Sequence, residues 1–341
     1  MPRCEAEVIK LDRGYPLVQT YTGEILRCKH STELIKNHNT RAVIGDKVIL
    51  AQPEANDKAL IEEILPRSSS LVRKDPTERA QAQVLAANFD LVIIAQPVVD
   101  LNMRRLEREL VLAHETGAQV ALVLTKADLA RREQSSKNEC LTQEFEEQLE
   151  SVKNLAGDVP VLLVSEEDDV SLEQVRALVP KGSTAILLGR SGVGKSSLVN
   201  RLVGYEIQTV QETRYTDGKG RHTTVSRETV KIPGAGRIVD MPGVRGLGLW
   251  DAKHGISLTF PEIDTLAHQC KFRDCTHHDE PGCAVLEALS AKEITQERYD
   301  SYLRLNEELQ SLETKREEAR RIHSKKGHPR GRKSSLQLHF D

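Results

Sequence analysis

The chain has 341 residues, 48 Lys/Arg against 51 Asp/Glu for a formal net charge of −3, and 38% hydrophobic residues. That is enough for two or three domains with their own cores, and no apolar run approaches the ~20 residues of a spanning helix. The first residues, Met1-Pro2-Arg3-Cys4-Glu5, carry neither a signal pattern nor a basic presequence, so a cytoplasmic protein is expected.

In chain order, residues 5–11, 16–21, 24–29, 42–50 and 59–65 read as five short strands separated by turn signals such as Asp12-Arg13-Gly14 and Thr22-Gly23. Five short strands in about seventy residues predict a small barrel, with an oligonucleotide-binding (OB) fold the leading candidate. Tyr15 and Tyr21 are its only aromatics, so nucleic-acid stacking and simple docking on a neighbour stay equally open. Pro66-Arg67-Ser68-Ser69-Ser70 reads as a polar separator.

From residue 90 strands alternate with helices. Strands are predicted over 91–96, 120–124, 159–164 and 184–188, with helices over 102–115, 141–155 and 172–179; two more strands follow near 229–232 and 237–240. That alternation predicts a mostly parallel sheet covered on both faces, with ligands at the carboxyl ends of its strands.

Gly189-Arg190-Ser191-Gly192-Val193-Gly194-Lys195-Ser196 follows one such strand and leads, through Ser197, into a helix. This is the strand–loop–helix setting of a phosphate loop. Its glycines let N–H groups aim at phosphates, Lys195 reaches the β/γ-phosphates, and Ser196 ligates Mg²⁺.

Asp240-Met241-Pro242-Gly243, after an apolar strand and 45 residues past Lys195, matches D-x-x-G. Its Asp holds Mg²⁺ through water and its Gly N–H senses the γ-phosphate. Between the two, Gly220-Arg221-His222-Thr223-Thr224 offers a threonine for the Mg²⁺ shell, and Thr224 is preferred over Thr223.

Thr125-Lys126-Ala127-Asp128 resembles N-K-x-D, with Thr in place of Asn. Asp128 would accept hydrogen bonds from guanine N1 and N2, which adenine cannot offer, and Lys126 would pack along the base. The Thr125 exchange leaves one contact on the opposite base edge in question. Ser165 would supply a second base-side element. Both base-reading elements precede the phosphate loop, the reverse of the ordinary order, as in a circularly permuted sheet.

Cys270-x₄-Cys275-x-His277-x₅-Cys283 suits one tetrahedral structural Zn²⁺, with adjacent His278 the alternative to His277. Beyond it residues 294–322 predict one long helix with a Tyr299, Tyr302, Leu305, Leu309, Leu312 stripe. Between Lys315 and Lys333 nine Lys/Arg face only Glu317 and Glu318, a basic tail suited to a polyanion.

Taken with Gln96-Pro97 and Leu101-Asn102, these motifs resemble one family, the circularly permuted ribosome small-subunit-dependent GTPase A (RsgA, YjeQ or YloQ). The resemblance spans essentially the whole chain. It implies a multidomain α/β protein: an OB-fold β-barrel (1–70), a permuted P-loop GTPase domain with a mostly parallel sheet (71–247), and a helical zinc-binding domain with the basic tail (248–341). It further implies Mg²⁺-dependent GTP hydrolysis stimulated by the small ribosomal subunit, rRNA contact, and release timed by hydrolysis during late subunit maturation. A monomer without membrane attachment is expected. His222 resembles the histidine proposed in the family to act on the water. Val244 stands where many GTPases carry a water-orienting Gln. The competing reading is a GTP-switched RNA-binding chaperone not dedicated to the ribosome.

Overall fold

The computed structural model describes residues 3–12, 15–38, 41–51, 58–74, 82–128, 139–165, 167–205, 227–239, 241 and 249–326. His222, Thr223, Thr224, Asp240, Gly243, Val244 and the tail beyond residue 326 lie outside them.

The chain begins with β1 (Arg3–Asp12), β2 (Tyr15–Thr20), β3 (Ile25–Arg27) and β4 (Lys29–His30), then α1 (Thr32–His38), β5 (Lys47–Ala51) and β6 (Leu60–Ile64). β1 pairs antiparallel with β2 and β5, β5 with β6, and β2 with β3, while β4 runs parallel to β6. Only the buried Cys28 separates β3 from β4, so residues 25–30 act as one bent strand with β2 on one edge and β6 on the other. That bend closes a five-stranded barrel, the OB arrangement expected. Alternate residues Ala6, Val8, Val48 and Leu50 fill its interior. The sequence reading did not foresee α1; among its described side chains Leu34 alone is buried, too little pattern to announce a helix.

The separator at 66–70 is a packed seam. Arg67 grips the fully buried Asp46 with Nε–Oδ1 2.7 Å and Nη2–Oδ2 2.8 Å, and Ser69 Oγ donates to Phe89 O at 2.6 Å. A hairpin absent from the sequence reading follows, β7 (Ser70–Lys74) with β8 (Ala82–Ala87). Gly45 lies so close to it that a Cβ would fall 2.0 Å from Ala87 O.

The central sheet comprises β9 (Leu91–Pro97), β10 (Gln119–Thr125), β11 (Val161–Leu163), β12 (Thr184–Leu188), β13 (Arg227–Lys231) and β14 (Arg237–Val239). Its order is β11-β10-β9-β12-β14-β13, parallel except at β13. Helices α2 (Met103–His114), α3 (Glu139–Ala156), α4 (Asp169–Ala177) and α5 (Lys195–Val203) cover it. Val92, Ile94, Leu122 and Leu124 point into one core with α2, and Leu91, Ile93, Ala121 and Val123 into another with α4 and α5. β9 leads away to β10 and β11, whereas β12 leads the other way to β14. Their carboxyl ends therefore flank a topological switch point, where open α/β sheets bind ligands.

At the far edge β13 pairs with β1, with Lys10 opposite Glu228, so barrel and sheet form one hydrogen-bonded path. Arg237 Nη1 to Glu7 Oε2 at 2.9 Å adds to that joint.

The C-terminal region holds α6 (Lys253–Thr259), α7 (Pro261–Ala267), α8 (Ala284–Ser290) and α9 (Gln296–Lys326). Tyr299, Leu305, Leu309 and Leu312 of the predicted stripe are buried in the core that α2 also enters. Gly255 of α6 lets the two helices close up, since a Cβ there would lie 2.2 Å from Val111 O. Arg108 binds Glu308 (Nη2–Oε1 2.8 Å), and Arg298 lies between Glu107 (3.3 Å) and Glu262 (2.7 Å). Among the described residues no helix is long and apolar enough to cross a membrane.

Candidate nucleotide and metal sites

The phosphate loop leaves the buried strand β12 at Gly189 and enters α5 at Lys195. Gly189 has φ +138°, and a Cβ on it would stand 2.3 Å from Ala95 O of β9, so only glycine fits there. The buried Val193 roots the loop, while Arg190, Ser191 and Gly192 are exposed at the sheet's carboxyl end. Lys195 Nζ donates to Gly189 O (2.6 Å) and Arg190 O (2.8 Å), which holds its ammonium over the loop. Ser196 and Ser197 lie in the first turn of α5, where helix N–H groups favour an anion. Of the three residues expected at Mg²⁺, Ser196 is the one among the described residues.

The base-reading segment leaves β10 beside this loop. Thr125 is 4% exposed, and its hydroxyl lies 2.5 Å from Val193 O and 3.2 Å from Gln96 O. A hydroxyl has one proton, so the shorter contact ties the segment to the phosphate loop. Threonine thus supplies a tether between the two loops. Lys126 adopts φ +61° and its Nζ donates to Gly192 O at 3.0 Å, laying its stem between the loops. Ser165 is buried beyond β11, and its Oγ donates to Asp128 Oδ1 at 3.4 Å. Thr125, Lys126, Asp128, Ser165 and the 189–197 loop are therefore brought to one crevice.

The metal cluster is compact. The ligand atoms of Cys270, Cys275, His277 and Cys283 all lie within 4.8 Å of one another. Cys270 Sγ to Cys283 Sγ is 3.8 Å, and His277 Nδ1 lies 3.6 and 3.4 Å from those sulfurs. A tetrahedron with Zn–S of about 2.3 Å has edges of about 3.8 Å, so the residues fit Zn²⁺. Burial pushes the His277 imidazole below its usual value, favouring the neutral form that ligates metals. His278 is exposed, with Nε2 3.8 Å from Glu307, and stands outside the cluster.

The supporting roles of Glu280 and Tyr299 escaped the sequence reading, which placed Tyr299 only in the helix stripe. His277 has φ +63°, a conformation that its surroundings must hold. Glu280 folds back to accept from Thr276 Oγ1 (2.5 Å), Thr276 N (2.7 Å) and His278 N (3.0 Å), and the two Thr276 bonds, the hydroxyl's first, hold its carboxyl down at about 2. From α9, Tyr299 OH donates to His277 O at 2.5 Å. A carboxylate between two ligands was the available signal. Glu280→Ala is expected to weaken zinc retention about 10–100-fold, as removal of outer-shell partners does, measured by competition with a chromophoric chelator. Wild-type retention in that variant would remove Glu280 from the role.

Comparison with known proteins places these sites in context. A sequence model described as RsgA GTPase matches residues 64–250, and one described as 50S ribosome-binding GTPase matches residues 184–317. Relatives named small ribosomal subunit biogenesis GTPase RsgA include one from Streptomyces avermitilis, 42% identical over 326 residues (94% of this chain, 85% of the relative). Another, from Methanosarcina acetivorans, is 38% identical over 278 residues (81% and 72%). The crystal structure of YjeQ from Thermotoga maritima superposes with TM-score 0.65 at 26% identity, covering 90% of this chain and 99% of that one. YloQ, described as a circularly permuted GTPase, shares the fold with TM-score 0.63 at 24% identity over 91% and 96%.

Proposed function

We propose that this chain, which belongs to the RsgA GTPase family, hydrolyses GTP to GDP and phosphate in maturation of the small ribosomal subunit. The observation that carries the reading is the direct hydrogen bonding of a guanine-type reading segment to a phosphate loop at the sheet's switch point. The relatives' printed name supports the subunit as partner.

In this reading Asp128, steadied by Ser165, accepts from the guanine edge, and Lys126 covers the base. The 189–197 loop wraps the phosphates, with Lys195 swinging from the loop carbonyls to the β/γ oxygens. Gly243 reads the γ-phosphate. Ser196, Thr224 and Asp240 would hold Mg²⁺, which neutralises phosphate charge when bound. His222 orients the attacking water in place of Val244, whose side chain has no group to do so. Cys270, Cys275, His277 and Cys283 hold Zn²⁺ in a closed structural site. The division into residues 1–70, 71–247 and 248–341, a cytoplasmic monomer, and rRNA contact through the basic tail complete the proposal.

Without a water-orienting side chain from the D-x-x-G segment, unaided turnover should be slow, near the ~10⁻⁴ s⁻¹ of unassisted GTPases. Phosphate release measured with and without purified small subunits tests this. Stimulation is expected, on the scale of the ~10³-fold or more that groups supplied in trans achieve. A rate indifferent to subunits would remove the ribosomal role.

A further inference from the structure

Helix α2 carries three consecutive charged residues with three destinations. Glu107 and Arg108 engage Arg298 and Glu308 of α9, whereas Glu109 faces the sheet and accepts a hydrogen bond from Gln96 Nε2. Gln96 is 2% exposed. Glu109 is itself half-buried, and a carboxylate held there against the sheet by a neutral amide is a costly choice beside the apolar Leu106 and Leu110 of the same helix. Burial pushes the Glu109 carboxyl up to about 7, against the opposing pull of Gln96, Arg105 and Lys195. Residues that break local stability rules in this way concentrate where function needs them.

The position of Gln96 shows what that need is. It sits at the carboxyl end of β9, opposite Leu124 in the parallel register with β10. Its carbonyl is 3.2 Å from Thr125 Oγ1, the same hydroxyl that lies 2.5 Å from Val193 O of the phosphate loop. The preceding carbonyl, Ala95 O, occupies the space a Gly189 side chain would need. Val98 N, two residues on, donates to Thr125 O at 2.9 Å. The end of β9 is therefore wedged between the guanine-reading segment and the phosphate loop, and its placement fixes their separation. A bound nucleotide must span that separation, and displacements well under 1 Å are enough to weaken such sites.

We propose that Glu109 is a positioning residue for nucleotide binding, holding the end of β9 through Gln96 and so setting the distance between the guanine-reading segment and the phosphate loop. The proposal rests on the crevice being the guanine-nucleotide site.

The test is equilibrium binding of a fluorescent methylanthraniloyl-GDP to the full chain, with steady-state GTP hydrolysis alongside. Glu109→Ala, and Glu109→Met, which keeps side-chain bulk without an acceptor, are expected to weaken GDP binding about tenfold, or ~1.4 kcal/mol. Having both guards against a folding loss in either. Glu109→Gln, whose amide oxygen accepts the same N–H, is expected to return affinity to within about threefold of wild type. The effect should appear in KM while kcat stays within about threefold, because ground and transition states share the misplacement. Adding Gln96→Ala to Glu109→Ala should weaken binding no further, as two ends of one interaction require. Wild-type affinity in the alanine and methionine variants, failure of glutamine to rescue, or additive effects would each overturn the proposal. Absence of GDP binding by the wild-type chain would overturn the nucleotide reading together with it.

Discussion

Replacing Cys283 with serine is expected to empty the zinc site and release the loop between Cys270 and Cys283, while leaving the helices around it folded. Cys283 is 2% exposed and directly precedes α8, so its thiolate links the ligand cluster to a helix anchored in the main core. Apart from the metal the loop is held by a few hydrogen bonds, those of Glu280 to Thr276 and His278 and that of Tyr299 OH to His277 O. Lys271, Phe272, Arg273 and Asp274 are exposed, and its crossing contact is Lys271 N to Gly282 O at 3.0 Å. A structural zinc supplies about 10–16 kcal/mol of apparent binding energy in small metal-folded units, and that supply is lost with one thiolate. Serine cannot replace it, because its hydroxyl stays protonated at neutral pH and oxygen is a poor match to this sulfur-rich site. Val285 and Ala288 of α8, with Leu305 and Leu309 of α9, stay buried in the core that α2 also enters, so unfolding should stop at the loop. Metal analysis should fall from one zinc per chain to none, and trypsin should gain rapid cleavage after Lys271 and Arg273. Full zinc occupancy in Cys283→Ser, or an unchanged digest, would count against a folding role for the metal.

What the sequence could announce depended on how local each determinant is. The phosphate loop, the T-K-x-D segment and the Cys/His cluster are short motifs whose spacing already encodes their geometry, and the structure brings each together. The permuted order was equally legible, since it is an order along the chain. Other features depend on partners remote in sequence. α1 contributes one buried leucine, and β8 is the alanine-rich Ala82-Gln83-Val84-Leu85-Ala86-Ala87, whose pairing with β7 propensity does not foretell. The 66–70 stretch reads as polar because Arg67 and Ser69 are polar, yet their partners Asp46 and Phe89 lie twenty or so residues away. The pairing of β1 with β13 spans more than two hundred residues and leaves no local trace. Glu109 and Glu280 look like ordinary surface acids until their hydrogen bonds are seen.

Changing Asp128 to asparagine is expected to move nucleotide preference away from guanine. A carboxylate offers acceptors alone, and guanine presents two donors on one edge, N1–H and the exocyclic amine. Charge-assisted hydrogen bonds of this kind contribute about 1.5–3 kcal/mol each, so losing one of them corresponds to a fall in GTP affinity of roughly 10–10²-fold, and more where a donor then faces a donor. Asparagine keeps one acceptor but places an N–H₂ against the guanine amine, donor facing donor. Xanthine carries a carbonyl at that ring position and can accept from the new amide, so XTP should bind the variant better than GTP does. The loss can be assigned to the base because the neighbouring tethers are independent of Asp128. Thr125 still bonds Val193 O, Lys126 still bonds Gly192 O, and Ala127 N still donates to Val164 O at 3.1 Å. The phosphate loop therefore keeps its shape, and affinity for inorganic phosphate groups should not distinguish variant from wild type. Displacement of fluorescent GDP by GTP, ITP, XTP and ATP reads the change directly. If Asp128→Asn bound GTP within about threefold of wild type, Asp128 would not be the residue that reads the guanine edge.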